Sequence, residues 1–273
     1  MDRPDPPDFG RTADDYARHR AGFPPELLDR LAARGVTAAG RRVLDLGTGT
    51  GSLARLFAGA GADVTGVDPA PALLDRAREL DATAGVAVTY RVGSAERTGL
   101  PADPPFDVVA AGECWHWFEP DAAAAEVYRL LRPGGVVVIA HFSWLPLPGN
   151  VVEATEALIR RHNPTWYLGG GTGLYPRWLT DLAVGGFAGI ETFSFDVPVP
   201  YRPADWVGRI RASAGVGASL PRRAVARFAA DLRALLAADF PGDVLSIPHR
   251  VWAVTATRPA DERATAGDER ATA

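Results

Sequence analysis

The chain has 273 residues, 47% hydrophobic and 23% charged, with a formal net charge of −4, enough to build one α/β domain plus a sizeable insertion or two small domains. Its arginines are scattered, so no basic stripe marks a nucleic-acid partner, and its lone cysteine, Cys114, excludes an intramolecular disulfide and any metal site built on several cysteines. No apolar run approaches the roughly twenty residues of a bilayer span, and the acidic, proline-rich residues 1–8 do not resemble a signal peptide, so a cytoplasmic protein with no membrane partner is expected.

In chain order, residues 1–8 read as a flexible start. Residues 12–20 predict a short helix with Tyr16 and Arg20 on one face, since they are four apart. After Phe23 and the breakers Pro24 and Pro25, a second helix over 26–33 leads into a strand over 41–46. Strands at 64–68, 88–92, 106–111 and 136–140 then alternate with helical segments, which predicts a parallel, doubly wound α/β sheet. Before the fifth strand, Arg129-Leu130-Leu131-Arg132-Pro133-Gly134-Gly135 reads as a helix stop and reverse turn. Residues 150–186 change character: a helix over 151–161, the loop Gly169-Gly170-Gly171, and a helix over 176–184. A strand at 190–197 follows, then helical residues 202–240 broken by Gly215-Val216-Gly217, and a last strand at 251–257. The tail repeats Asp-Glu-Arg-Ala-Thr-Ala at 261–266 and 268–273 with no large apolar residue, so 260–273 is expected to be disordered. The expected organisation is a ligand-binding domain over 9–149 including N-terminal lid helices, a helical cap from 150–186 and 202–240, and closing strands within 187–201 and 241–259.

The densest signal is Val43-Leu44-Asp45-Leu46-Gly47-Thr48-Gly49-Thr50-Gly51, an apolar strand carrying an acid, followed by glycines at alternate positions and a helix-like run from Ser52. Glycine has no Cβ, so such a turn bends sharply and lies against a ligand at the positive end of a helix. A dinucleotide fingerprint G-x-G-x-x-G needs a glycine at position 52, where Ser52 stands. The next apolar run, Val64-Thr65-Gly66-Val67-Asp68, also closes on an acid, and a carboxylate at a strand's end accepts both hydroxyls of a ribose.

The pattern D-x-G-x-G-x-G resembles motif I of the class I S-adenosylmethionine-dependent methyltransferases, and Val64 to Asp68 resembles that family's second element. The resemblance implies a Rossmann-like, seven-stranded, mostly parallel sheet with S-adenosylmethionine as cofactor. Asp45, Gly47, Thr48, Gly49 and Gly51 are then expected around its methionine portion and Asp68 and Pro69 at its ribose. Tyr90-Arg91-Val92-Gly93-Ser94-Ala95-Glu96 resembles the family's third cofactor motif; many members carry an acid at the position of Ser94, so Ser94 or Glu96, with the Ala95 N–H, is expected at the adenine.

The run from Phe106 to Phe118 delivers Gly112, Glu113, Cys114, Trp115, His116, Trp117 and Phe118 to the carboxyl end of a buried strand, where ligands of doubly wound sheets lie. It resembles the His-Trp-Phe signature of a branch that includes trans-aconitate methyltransferase-like small-molecule enzymes, with Glu113 where a glutamine is usual. Gly112 and Glu113 join the expected cofactor contacts. No Asn/Asp-Pro-Pro-Tyr motif of nucleic-acid amine methylation is present, which points to a small-molecule acceptor. His116 is the candidate general base, since its ordinary pKa is near neutral; orienting a loop is the alternative role. Trp115, Trp117, His141, Trp144, Asn150, Trp166, Tyr167 and Tyr175 are candidates for lining the acceptor pocket. Tyr16 resembles the family's tyrosine on a lid helix, and Arg11 and Arg20 are placed to neutralise the cofactor's carboxylate. No metal is expected. A cyclase or lyase that keeps the cofactor and a noncatalytic cofactor-binding protein remain open alternatives, with a dehydrogenase behind both, and the attacking atom and oligomeric state are open.

Overall fold

In the computed structural model the described residues are Asp15 and 18–260; the expectations for residues 1–8, Arg11, Tyr16 and the tail beyond 260 lie outside them. The elements are α1 (Glu26–Ala32), β1 (Arg42–Leu46), α2 (Ser52–Gly59), β2 (Asp63–Asp68), α3 (Pro71–Ala84), β3 (Thr89–Val92), β4 (Phe106–Gly112), a 3-10 turn (Trp115–Trp117), α4 (Pro120–Leu130), β5 (Leu131–Trp144), α5 (Val151–His162), α6 (Arg177–Val184), β6 (Ala188–Tyr201), α7 (Pro203–Arg211), α8 (Arg222–Asp239) and β7 (Leu245–Thr257).

Among the described residues, seven strands form one sheet in the order β3-β2-β1-β4-β5-β7-β6. The strands β1 to β5 pair in parallel, and β7 runs antiparallel between β5 and β6. The order reverses between β1 and β4, so a crevice opens outside their carboxyl ends, as in other doubly wound sheets. Alternate residues of the central strands face opposite layers. Leu44, Leu46, Val109 and Ile139 share one core with α4 and α6, while Val43, Val108, Ala110 and Val138 share the other with α1 and α2. A third core holds the cap, where Ile159, Trp206, Ile210, Phe228 and Leu232 pack against Tyr201 and Ile247.

The structure differs from the sequence expectations in three places. The helix at 176–184, expected in the cap, is α6, and its Trp178 and Leu182 pack into the sheet core beside α4. The turn at Arg132-Pro133-Gly134 is absorbed into the irregular start of β5, where the register against β4 slips and Gly134 takes a φ of 72°. The last two strands are also longer than expected, running through Pro198, Pro200 and Pro248. Proline lacks a ladder donor, and this pair tolerates it because β6 is the sheet edge and β7 at Pro248 has passed the end of its pairing with β5.

Candidate functional site

The first wall of the crevice is the turn after β1. The Thr48 N–H donates to the Val67 carbonyl at 3.0 Å and the Gly51 N–H to the Thr48 carbonyl at 2.8 Å, which folds the turn back onto β2. Asp45 is almost wholly buried. Its Oδ2 accepts from Thr48 Oγ1 at 2.7 Å and from the Ala54 N–H at 3.1 Å, tying β1 to the first turn of α2. Its Oδ1 is buried with no hydrogen-bond partner among the described residues. Burial pushes the Asp45 carboxyl up to about 7, with the Thr48 and Ala54 hydrogen bonds opposing. Asp68, at the end of β2, accepts from the Gly49 N–H through Oδ2 and the Ala70 N–H through Oδ1, both at 2.9 Å. Burial raises its carboxyl as well, against the pull of those two N–H groups.

The three glycines of the turn do different work. All have positive φ, but a Cβ on Gly47 would lie 2.9 Å from Cys114 Cβ, and one on Gly51 would lie 2.3 Å from Tyr90 Oη. A Cβ on Gly49 meets nothing within 4 Å. Gly49 therefore opens onto the crevice, whereas Gly51 makes room inside the protein and is absent from the cavity wall, against the expectation that it meets the cofactor.

The second wall follows β4. Glu113 holds a φ of 63°, uncommon for a residue with a side chain, and its N–H donates to the Ala140 carbonyl at 2.9 Å. Its carboxylate accepts from the Phe142 N–H, pairs with the Arg20 guanidinium at 2.7 Å, and lies 3.6 Å from His141 Nδ1. Burial works to raise the Glu113 carboxyl, but Arg20, His141 and the Phe142 N–H outweigh it and hold it at about 2. Arg20, expected to meet the cofactor's carboxylate, lines the same cavity while paired with Glu113, which links residue 20 to the β4 and β5 ends. His116 and His141 lie side by side, ring centroids 5.3 Å apart, and His141 also packs against Tyr175 at 4.2 Å. Burial lowers the His141 ring to about 4, opposed by Glu113 and reinforced by Arg20.

These walls enclose one continuous cavity of about 600 Å³, well within the range of small-molecule sites. Gly49, Asp68 and Pro69 line one end, with Gly47, Thr48 and Asp45 beside them; Gly112, Glu113, His116, Trp117, His141 and Tyr175 line the middle; Trp144 and Trp166, packed against the third core, belong to the cap side. Several expected residues are elsewhere. Trp115 is buried behind the wall, its Nε1–H donating to Asp181 at 3.0 Å across to α6. Asn150 caps α5, accepting from the Glu153 N–H and donating to the Leu145 carbonyl, each at 2.9 Å. Tyr167 is 65% exposed on the glycine-rich loop and does not line the cavity. Ser94, Ala95 and Glu96 follow β3 beside the Asp68 end but outside the cavity lining, and a Glu96 oxygen accepts the Glu119 N–H at 3.0 Å.

Other lining residues lie outside the sequence expectations. Ser143, two residues from His141 on β5, was legible from strand alternation, and its Oγ meets Tyr175 Oη at 2.8 Å. Arg209 on α7 is buried with its guanidinium 4.7 Å from the Trp144 ring centre, and Ser213 lies just past that helix; no local pattern marks either.

The strand order, with a glycine turn and two carboxylates at the switch point, defines a Rossmann-like α/β domain. Residues 44–139, β1 to the middle of β5, match the family described as methyltransferase domain. An uncharacterised methyltransferase of Mycobacterium tuberculosis is 43% identical over 128 residues, 46% of this chain and 49% of that protein, so the chain spans about half the length of this relative. Among solved structures, a protein assigned as a type II methyltransferase from Anaeromyxobacter dehalogenans superposes with a TM-score of 0.61 at 25% identity, covering 89% of this chain and 99% of that one. A Haemonchus contortus phosphoethanolamine N-methyltransferase solved with S-adenosylhomocysteine superposes at 0.51 and 24% identity, covering 86% of this chain and 52% of that one, a likeness of fold. Over residues 44–139 this chain is therefore similar to methyltransferase domains, and its fold is that of the solved methyltransferases.

Proposed function

We propose that the protein transfers a methyl group from S-adenosylmethionine to a small-molecule acceptor held in the cap half of the cavity. The observation that carries this is the continuity of one cavity between an end lined by Gly49, Asp68 and Pro69 and an end lined by aromatic rings. The residues present fit the cofactor. The buried Asp45 Oδ1 lacks a partner and suits the cationic amino group of its methionine portion. Asp68 retains lone pairs for ribose hydroxyls after accepting two N–H groups, and Gly49 leaves its side open. When bound, the cofactor supplies a sulfonium-activated methyl group.

The chain's own task is to hold donor and acceptor together in a dry space. Phe23, Trp117, Phe118, Trp144 and Trp166 supply apolar wall that excludes water. Positioning is the larger effect: about 7–11 kcal/mol from proximity exceeds the roughly 3–5 kcal/mol that a 10²–10⁴-fold general-base contribution represents. His116 and His141 stand side by side at the middle of the cavity, and each imidazole is a candidate to take a proton there.

The test is calorimetric titration with S-adenosylmethionine and S-adenosylhomocysteine, with NADH as control. Micromolar binding of both adenosyl ligands and none of NADH is expected, and Asp68→Ala is expected to weaken that binding by about tenfold or more, the value of a hydrogen bond to a charged group. No adenosyl binding, or no effect of Asp68→Ala, refutes the assignment of this end of the cavity.

A further inference from the structure

Along the middle and the cap side of the cavity, several polar groups are already engaged. The Glu113 carboxylate is taken by Arg20 and the Phe142 N–H. The Cys114 thiol points to the Leu46 carbonyl at 3.1 Å, and burial raises it well above the ordinary thiol range. Tyr175 Oη is paired with Ser143 Oγ. His141 is different. It lines the cavity, is 2% exposed, and neither ring nitrogen has a hydrogen-bond partner among the described residues. Its 3.6 Å separation from the Glu113 carboxylate is too long for a hydrogen bond but close enough to favour positive charge on the ring. Ser213 Oγ, on the cap side of the same cavity, is likewise buried without a partner. Buried polar atoms in folded proteins are nearly always satisfied, so two such groups on one cavity wall mark places where a ligand completes the bonding.

We infer that His141 is the residue that meets the nucleophile of the acceptor, and that the nucleophile is the hydroxyl of a flat phenol- or enol-type molecule, methylated on oxygen. Flatness follows from the wall, since Trp144, Trp166, Tyr175 and His116 present rings that a planar body fills. The hydroxyl follows from the imidazole. Burial keeps the ring neutral at neutral pH, so it offers one lone pair to an incoming O–H. As the oxygen–methyl bond forms, the hydroxyl proton moves to the His141 ring nitrogen. The donor's carbon–sulfur bond breaks with its electron pair left on sulfur, and the donor's positive charge reappears on the imidazolium. Glu113 and Arg20 beside the ring, with His116 and Tyr175 packed on it, set how readily that proton is accepted and later returned to solvent.

This inference depends on the methyltransferase assignment, and its test separates the two. The full chain is titrated with 2-naphthol and with 2-methoxynaphthalene, in which the hydroxyl is blocked, with and without saturating S-adenosylhomocysteine. The ring signals of nitrogen-15 histidine are followed in the same titrations. Wild type is expected to prefer the naphthol by about tenfold, the worth of one buried hydrogen bond, with the His141 ring signal shifting for the naphthol alone. His141→Phe keeps a flat ring and is expected to equalise the pair. Equal affinities in wild type, no binding of either probe, or a preference that survives His141→Phe overturns the proposal; if that variant does not fold, the wild-type ring signal, assigned by its loss in His141→Gln, decides. Naphthol preference at His141 without binding of the adenosyl ligand keeps the hydroxyl subsite and removes the donor assignment. Adenosyl binding without preference keeps the donor and removes the subsite.

Discussion

Alanine at Gly49 and at Gly51 should separate what the glycine turn does for the ligand from what it does for the fold. Both positions hold positive φ, 55° and 77°, so either alanine incurs the left-handed cost of about 1–2 kcal/mol. At Gly49 nothing more is added, because the new methyl meets no heavy atom within 4 Å. At Gly51 the methyl would sit 2.3 Å from Tyr90 Oη and 3.1 Å from Arg55, so an overpacking cost of about 1–3 kcal/mol is added. Gly51→Ala is therefore expected to lose about 2–5 kcal/mol in urea unfolding and Gly49→Ala only about 1–2 kcal/mol. Removing the opposing oxygen in Gly51→Ala/Tyr90→Phe should restore about 1 kcal/mol or more beyond additivity. Ligand affinity should order the other way: Gly49→Ala projects into the cavity and is expected to weaken S-adenosylhomocysteine by about tenfold or more. Equal stabilities of the two single variants, or wild-type affinity in Gly49→Ala, would refute this division of labour.

Three further outcomes are expected. Because Asp45 is raised to about 7, its native form holds a proton that the unfolded chain releases near the ordinary value of 3.8; stability should fall as pH rises from about 4 to 7, and Asp45→Asn should lack that slope. A cationic group docking on its free oxygen would expel the proton, so the binding enthalpy of S-adenosylhomocysteine at pH 7 should differ between phosphate and Tris buffers in wild type and agree in Asp45→Asn; a buffer-independent wild-type enthalpy removes Asp45 from that contact. Glu113, held at about 2, contributes stability that is complete above about 4.5 and lost as pH falls toward 2. Arg20→Met should flatten that acid limb, and an unchanged acid profile would show that the pair does not hold the N-terminal segment. If His116 is the base, His116→Ala should lower turnover at saturation with a changed profile across pH 6 to 9; unaltered turnover assigns it to scaffolding.

Much of this protein was fixed locally. Strand–helix alternation up to β5 follows from β-branched runs and helical spacing, and the Asp45-to-Gly51 turn and Asp68 are legible because a nucleoside site at a strand's end needs glycine and a carboxylate at set spacing. The helices after β5 were legible, since amphipathic periods are local properties, but that α6 packs on the sheet core was not. What the chain could not disclose locally is which polar atoms are left without partners. His116 and His141 look alike in sequence, yet only folding sets His141 against Glu113 and Tyr175 with both nitrogens unmatched. Asn150 and Trp115 looked like pocket residues and became a helix cap and a tie to Asp181. Arg20 and Glu113 are 93 residues apart and meet at 2.7 Å, and Gly51 makes room for Tyr90 from another strand. Secondary structure is dictated by neighbours within a few residues, whereas hydrogen-bond satisfaction, burial and the pKa shifts they cause are sums over groups brought together only by the tertiary fold.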